Sequence, residues 1–592
     1  MPLLVQKFGG TSVADPQKIL AAARKAIRAA QAGNQVVMVV SAMGHNTDHL
    51  IDLARQINDR PPARELDMLL STGEQVSVAL MAMAVCSLGH KATSLTGAQI
   101  GIRTDSTHTK ARIQSISTDR MKQLLGEGHI VIAAGFQGID ENLNITTLGR
   151  GGSDTTAVAL AAVLGADTCE IYTDVDGVYT TDPRLLPEAR HVSQVSYDEM
   201  LELASLGAAV MHSRSIEFAK KFGVPIHVRS SFSDTPGTMI VEEPEARLRP
   251  VSGVALAKGE ARVTVLGVPD RPGTSQAIFS RIAARNVTVD MIVQNVGTAG
   301  HADVSFTVAR DDLSATLEAV DDAVRHLGAE GYTHDQEVAK VSVVGLGMAI
   351  QTGVAEKMFR ALADARINLQ MISTSEIKIS VLVAAQQAAE AVRVVHRAFT
   401  LERQPTAAEH GKPEDAHADD RSNPADILRS LQRMEELTID EIVLDESQAR
   451  VSVSNVPDQP GIAARVFEEV AKAGIFVDMI VQSTGRDGRA NLSFTVPQAS
   501  LKQAVETAKK IGAALGCGGV DSAPQVAKLS VTGIGMRSHA GVATRTFEAL
   551  SAAGINIEMV ATSEVRVNVV VQGDKGPAAM RKLQEAFADV LR

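Results

Sequence analysis

Cysteine, clustered positive charge and long apolar runs are all scarce in this chain of 592 residues, and each scarcity removes a class of protein. The three cysteines, Cys86, Cys169 and Cys517, are odd in number and far apart. Neither a disulfide framework nor a metal site is expected from them. Lys and Arg number 58 against 69 Asp and Glu, a net formal charge of −11, with no Lys/Arg-rich block; a nucleic-acid or anionic-membrane partner is therefore not expected. The longest apolar run, Val76 to Cys86, falls short of the about 20 residues that span a bilayer and reads as part of a core helix. Met1-Pro2-Leu3-Leu4-Val5 enters a strand pattern with no basic region or cleavage site, so a cytoplasmic protein without a signal peptide is expected.

What is present is globular, with 45% hydrophobic and 21% charged residues, in a chain too long for one core. The first part alternates strands and helices. Strands are predicted at Leu3 to Phe8, Val36 to Ser41, Ile130 to Phe136, Thr168 to Thr173 and Ile226 to Arg229. Helices are predicted at Ile19 to Ala32, Gln75 to Leu88, Ala157 to Leu164, Tyr197 to Ala204 and Val210 to Phe222. β-branched runs separated by amphipathic helices imply an α/β fold with a largely parallel sheet covered on both faces. Ligands of such sheets bind at the carboxyl ends of the strands, where Lys7, Ser41, Gly135 and Thr173 fall.

Two glycine-rich segments lie on that rim: Lys7-Phe8-Gly9-Gly10-Thr11-Ser12, and Gly149-Arg150-Gly151-Gly152-Ser153-Asp154-Thr155-Thr156 before an Ala-rich helix. Glycine lets backbone N–H groups approach phosphate oxygens, and a helix start adds partial positive charge. Neither segment is a P-loop or a dinucleotide fingerprint. Together with Val39-Val40-Ser41-Ala42-Met43, Ser71-Thr72-Gly73-Glu74-Gln75, Tyr172-Thr173-Asp174-Val175-Asp176-Gly177-Val178-Tyr179 and Thr181-Asp182-Pro183-Arg184, they form an ordered series over residues 1 to 241 that resembles aspartate kinases of the amino-acid kinase family.

The resemblance implies a role for each residue. Lys7, Arg150 and Asp154 would be catalytic, with Lys7 neutralising β/γ-phosphate oxygens and Asp154 organising that lysine or the metal. Ser41, Thr47, Glu74, Arg150 and Ser153 would hold L-aspartate, its carboxylate on Arg150 and its ammonium on Glu74. Lys7, Gly9, Gly10, Thr173, Asp174, Tyr179, Asp182 and Arg184 would bind ATP, with Mg²⁺ bridging the phosphates. Positioning and charge neutralisation would carry the chemistry, because the attacking carboxylate is already ionised. The family pattern has lysine where Ala209 stands, and Arg184 is the substitute expected here. Kinases of the same superfamily acting on glutamate, N-acetylglutamate or a nucleoside monophosphate, and a catalytically dead amino-acid sensor, are the competing readings.

The tail contains a duplicated block. Val263-Thr264-Val265 and Val268-Pro269-Asp270-Arg271-Pro272-Gly273 recur 188 residues later as Val451-Ser452-Val453 and Val456-Pro457-Asp458-Gln459-Pro460-Gly461. Asp290-Met291-Ile292-Val293-Gln294 recurs at Asp478 to Gln482 with the same offset. Each block is itself double, since Val341 and Leu529 restart the pattern. Four βαββαβ ferredoxin-like units follow. They resemble ACT domains, in two pairs, with Val251 to Ala257 and Ile439 to Leu444 completing the second unit of each pair. The expected organisation is a catalytic domain over 1–245, a first ACT pair over 246–403, a polar flexible linker over 404–423 and a second pair over 424–592. His410 and His417 in the linker are read as solvated rather than metal-binding.

The PDxPG turns open helices whose N–H groups suit an amino-acid carboxylate. The resemblance implies effector sites at Asp270, Pro272, Gly273, Asp290 and Gln294 and at Asp458, Pro460, Gly461, Asp478 and Gln482, which Asn368, Leu369, Asn556 and Ile557 of the partner units would complete. In each, the Asp on the strand would take the ligand ammonium. Lysine, threonine or both are the expected inhibitors, and a homodimer or larger assembly through the ACT units is expected.

Overall fold

The computed structural model describes residues 1–205, 210–244, 248–295, 300–406, 437–484, 488–536 and 541–592. Ala209, His410 and His417, and most of the expected linker, lie outside them.

The first part consists of β1 (Leu3–Phe8), α1 (Pro16–Gln31), β2 (Gln35–Val40), α2 (Asn46–Ile57), α3 (Ala63–Ser87), β3 (Ala92–Leu95), β4 (Ile130–Ala134), α4 (Gly152–Leu164), β5 (Thr168–Thr173), β6 (Gln194–Ser196), α5 (Tyr197–Ser205), α6 (Ser213–Phe222), β7 (Ile226–Ser230) and β8 (Thr238–Val241). The strands form one sheet in the order β6-β8-β7-β5-β1-β2-β4-β3, parallel at every neighbour except β7 with β8. β2 shows why both faces are covered. Val36, Met38 and Val40 pack with Ile19, Val78 and Met81 of α1 and α3, while Val37 and Val39 pack on the other face with Val158 and Leu160 of α4 and Ile216 of α6. The alternating side chains of a strand then feed two cores at once.

Two helix boundaries differ from the sequence expectation. α3 begins at Ala63 rather than Gln75, so Ser71 to Glu74 lies inside a helix. Its small and polar residues break the apolar period there because that stretch faces the rim, where Glu74 bonds the backbone of Ala42, instead of the core. α6 begins at Ser213 rather than Val210, because the His212 side chain caps it, accepting the N–H of Arg214 at 3.3 Å. α3 is long and apolar enough to cross a membrane, yet one side of it, including Leu70, Val78, Met81 and Val85, is buried in the fold.

The tail builds four units on shared strands. Gly253–Pro269 runs through two units, pairing along its length with Gly331–Val344, and its register shifts beside Gly259, whose φ of +90° lets the strand pass from unit two to unit one. Thr438–Pro457 and Gly519–Ile534 do the same for units three and four. The lateral pairing crosses the sequence pairs expected from the duplication. Val289–Gln294 of unit one lies beside Met559–Thr562 of unit four, and Met371–Thr374 of unit two beside Ile480–Thr484 of unit three. Twelve strands thereby close into one barrel. Its interior is filled by four equivalent methionines, Met291, Met371, Met479 and Met559, with Val293, Leu382, Val481 and Val570.

Candidate active site

The carboxyl ends of β1, β2 and β4 and the start of α4 surround a cavity of about 1000 Å³. It is lined by Lys7, Gly10, Ser41, Thr47, Glu74, Arg150, Ser153 and Asp154; every substrate-site and catalytic residue named from the sequence is among them. Lys7 Nζ lies 2.5 Å from Asp154 Oδ1, with both side chains little exposed. Asp154 sits in the first turn of α4, where the helix dipole favours an anion. The pair holds a cation at the mouth of the glycine loops.

Two glycines bring this site together. Gly73 lies against the loop after β2, where a Cβ would come within 2.9 Å of the Ala42 Cβ. That approach lets Glu74 Oε1 accept the Ala42 N–H at 3.0 Å. Gly151, at φ +72°, starts α4 against His212, and a Cβ there would meet the His212 side chain at 2.3 Å. Glu74 is 3% exposed, and among the described residues its Oε2 has no hydrogen-bond partner. Burial pushes its carboxyl up to about 7, against the opposing effect of the Ala42 N–H. A buried acid with one open oxygen suits the ammonium of a small amino acid.

The ATP residues named from the sequence are only partly in the cavity. Thr173 ends β5 and Asp174 follows it, beside β1, where the Gly9 N–H donates to Tyr172 O at 3.3 Å. Thr173 Oγ1 donates to Asp174 Oδ1 at 3.1 Å. Gly9, Thr173, Asp174, Tyr179, Asp182 and Arg184 do not line the cavity. Arg184 is 85% exposed on its side chain and bound by Asp182 through Nε and Nη2, so the expected substitute for the lysine at Ala209 is directed elsewhere. The cavity instead contains cations that sequence reasoning missed: Lys110, Arg112, Arg214 and Lys221. Arg214 donates to the carbonyls of Leu148 and Ala111, pinning the loop that leads into Gly149. Fully buried Asp67 was missed as well. It accepts from His108 Nδ1 at 2.7 Å, Thr147 Oγ1 at 2.5 Å and the N–H of Thr109, a residue in the left-handed region at φ +68°. No local pattern marks these residues, because their partners are far away in sequence.

In the tail, the named effector residues meet across the crossed pairs. Asn556 Nδ2 donates to Asp270 Oδ1 at 2.7 Å and Gln294 Nε2 to Ile557 O at 2.9 Å. Asn368 Nδ2 donates to Asp458 Oδ1 at 2.8 Å and Gln482 Nε2 to Leu369 O at 3.0 Å. Gly273 and Gly461, after Pro272 and Pro460, adopt φ of +93° and +90° and cap the helices that follow. Asp290 and Asp478 depart from expectation. Asp290 is ion-paired to fully buried Lys340, and Asp478 to Lys528 at 2.5 Å. In each unit the carboxylate expected to take a ligand ammonium is thus occupied by a lysine of the protein.

The parallel sheet, the glycine loops, the buried cation and the ferredoxin-like tail define an amino-acid kinase with ACT regulatory units. A family model described as the amino acid kinase family matches residues 2–230, and ACT domain models match residues 262–325, 341–399, 451–510 and 529–587. The aspartate kinase of Pseudomonas putida is 51% identical over 404 residues, covering 68% of this chain and 98% of that protein. The aspartokinase of Pseudomonas aeruginosa is 52% identical over 405 residues, with the same coverage of each. Among solved structures, the aspartate kinase of Synechocystis covers 99% of this chain and 98% of its own at 40% identity and a TM-score of 0.53. E. coli aspartokinase III in complex with aspartate and ADP covers 67% of this chain and 100% of its own at 25% identity and a TM-score of 0.57. The chain belongs to the aspartate kinase family.

Proposed function

We propose that the chain transfers the γ-phosphoryl group of ATP to the side-chain carboxylate of L-aspartate, giving 4-phospho-L-aspartate and ADP, the entry step to lysine, threonine and methionine. The observation that carries this is the convergence of Lys7, Arg150 and open-oxygened Glu74 on one cavity. A carboxylate and a polyphosphate both need cations, and an amino-acid ammonium needs an acid. In this reading residues 1–245 catalyse. Arg150 holds the α-carboxylate and ionised Glu74 the ammonium, so that the β-carboxylate points at the phosphates. One carboxylate oxygen forms the new bond to phosphorus as the bond to the ADP oxygen breaks, and no base is required. Lys7, oriented by Asp154, neutralises charge on the transferred group, and Lys110 or Lys221 stands in for the lysine absent at Ala209.

Mg²⁺ fits this site as a nucleotide-borne ion. Such an ion keeps waters and takes only one or two carboxylates, and no group of three His, Cys, Asp or Glu side chains is gathered for a metal among the described residues. Bound with ATP beside Asp154, it would neutralise the phosphates. The four ACT units would inhibit the kinase on binding lysine, threonine or both. Support for that coupling comes from the cavity wall, which includes Ile534 and Gly535 at the end of a unit-four strand. Assembly into a homodimer or larger oligomer belongs to the same proposal.

The test is ATP turnover with Mg²⁺ and each candidate amino acid, trapping the acyl phosphate as a hydroxamate. Hydroxamate with aspartate alone, reduced by lysine or threonine, is expected; none with aspartate, alongside retained effector binding, would leave only an amino-acid sensor.

A further inference from the structure

No step of the proposed transfer uses Asp67, yet this fully buried carboxylate gathers groups from the wall of the catalytic cavity. It stands on α3 seven residues before Glu74, two helical turns away on the same face. Two segments distant in sequence converge on it. Thr147 Oγ1 donates to Oδ1 at 2.5 Å, and His108 Nδ1 donates to Oδ2 at 2.7 Å. The Thr109 N–H lies 3.1 and 3.0 Å from the two oxygens. Thr109 and Thr147 line the cavity, as do Lys110 and Arg150, which follow them in the chain. Thr109 is β-branched and adopts a φ of +68°, a conformation that persists only where the surroundings impose it. The imposed arrangement sets the Thr109 carbonyl against Gly149, where a Cβ would come within 3.0 Å of it. Arg150 is the next residue.

Burying a carboxylate is costly unless donors surround it, and an apolar side chain would bury α3 without that cost. Resting on the catalytic reading above, we propose that Asp67 is a positioning residue for the amino-acid substrate. It ties the segment of Arg150 and the turn of Lys110 to the helix that carries Glu74. The α-carboxylate and the α-ammonium of one substrate sit on the same carbon. Arg150 and Glu74 engage both together only if their separation is fixed, and small misplacements at such a clamp are expensive. The nucleotide phosphates are met from the other side by Lys7 and Gly10 at the end of β1, which do not contact Asp67. Loss of Asp67 therefore falls on the amino acid and spares the nucleotide.

Steady-state kinetics of the full chain, read as hydroxamate formed from aspartate and ATP with Mg²⁺, test this. Asp67→Asn keeps the volume and removes one accepting oxygen. It should raise the KM for aspartate about tenfold or more, the size of one hydrogen bond to a charged group, and leave the KM for ATP within about twofold. In that background Thr109→Gly should recover about threefold or more of the aspartate KM, because glycine adopts the positive φ without the carboxylate to enforce it. His108 is not among the residues lining the cavity. His108→Ala should therefore move the aspartate KM in the same direction through Asp67, and it serves where Asp67→Asn does not fold. A purely structural Asp67 would lower the melting temperature and kcat with the aspartate KM unchanged, and that result overturns the proposal. An equal rise in both KM values, or no recovery with Thr109→Gly, overturns it as well. No aspartate-dependent hydroxamate from the unmodified chain overturns the catalytic reading itself.

Discussion

Glu74 is the residue whose environment is most consequential for activity. Its carboxyl titrates near 7 because burial opposes charge, whereas the proposed task needs the ionised form. The KM for aspartate should therefore fall as pH rises from about 6 to 8, and Glu74→Gln should give a high KM that is flat with pH; initial rates across pH decide it. The same shift bears on stability. A folded value above the unfolded one means that the contribution of Glu74 is fully present below about 4.5 and is lost as pH rises through about 7. Without aspartate, Glu74→Gln should melt higher than the parent at pH 8, with a difference of at most about 3 kcal/mol from 1.36 kcal/mol per pKa unit, and match it at pH 4.5. Lys7→Ala should lower kcat on the order of a hundredfold or more, the loss typical of one preorganised charge at a transition state, with effector binding retained. Lys7, Arg150, Asp154 and Glu74 were legible in the sequence because each sits in a short motif. Asp67 and Arg214 were not, because a buried carboxylate or a backbone-clamping arginine is defined by partners brought near only by folding.

At the scale of elements, α5 joins the two halves of the molecule. Glu199 accepts from the Ser252 hydroxyl at 2.5 Å and from the N–H of Leu346 at 3.1 Å. Glu202, fully buried, meets Lys378 of unit two at 2.7 Å and accepts the N–H of Glu564 in unit four at 3.2 Å. One helix of the catalytic part is thus held by units from both barrel pairs, and the chain leaving it leads to His212 at Gly151 in the cavity wall. Removing one partner of a buried ion pair destabilises strongly, whereas replacing both with apolar groups is often neutral. The double change Glu202→Leu with Lys378→Met should accordingly leave uninhibited turnover within about twofold while raising the effector concentration for half-inhibition about tenfold, a coupling of typical size. Inhibition curves at fixed aspartate measure it, and unchanged half-inhibition would remove α5 from the coupling. Strand and helix types in this region were legible from periodicity. The start of α3 was not, because a helix that turns small and polar residues to a ligand site lacks the apolar spacing by which helices are recognised.

Over the whole molecule, the closed barrel has a consequence for assembly. Val289–Gln294 and Met371–Thr374 are covered by strands from the second block. A chain ending near residue 404 would expose both edges, and unpaired edges recruit other chains. Such a truncation should double its mass in sedimentation through these edges, and Val293→Lys, a charge placed in the barrel interior, should weaken that association. The sequence by itself determined the parallel sheet, the rim residues that line its cavity and the four repeated units, because alternation, glycine spacing and exact repetition are local or periodic signals. Only the tertiary structure decided that unit one pairs with four and two with three, that Asp290 and Asp478 are held by lysines, and that Arg184 turns away from the cavity. Those outcomes depend on which surfaces and charges meet across hundreds of residues, and no local signal carries that information.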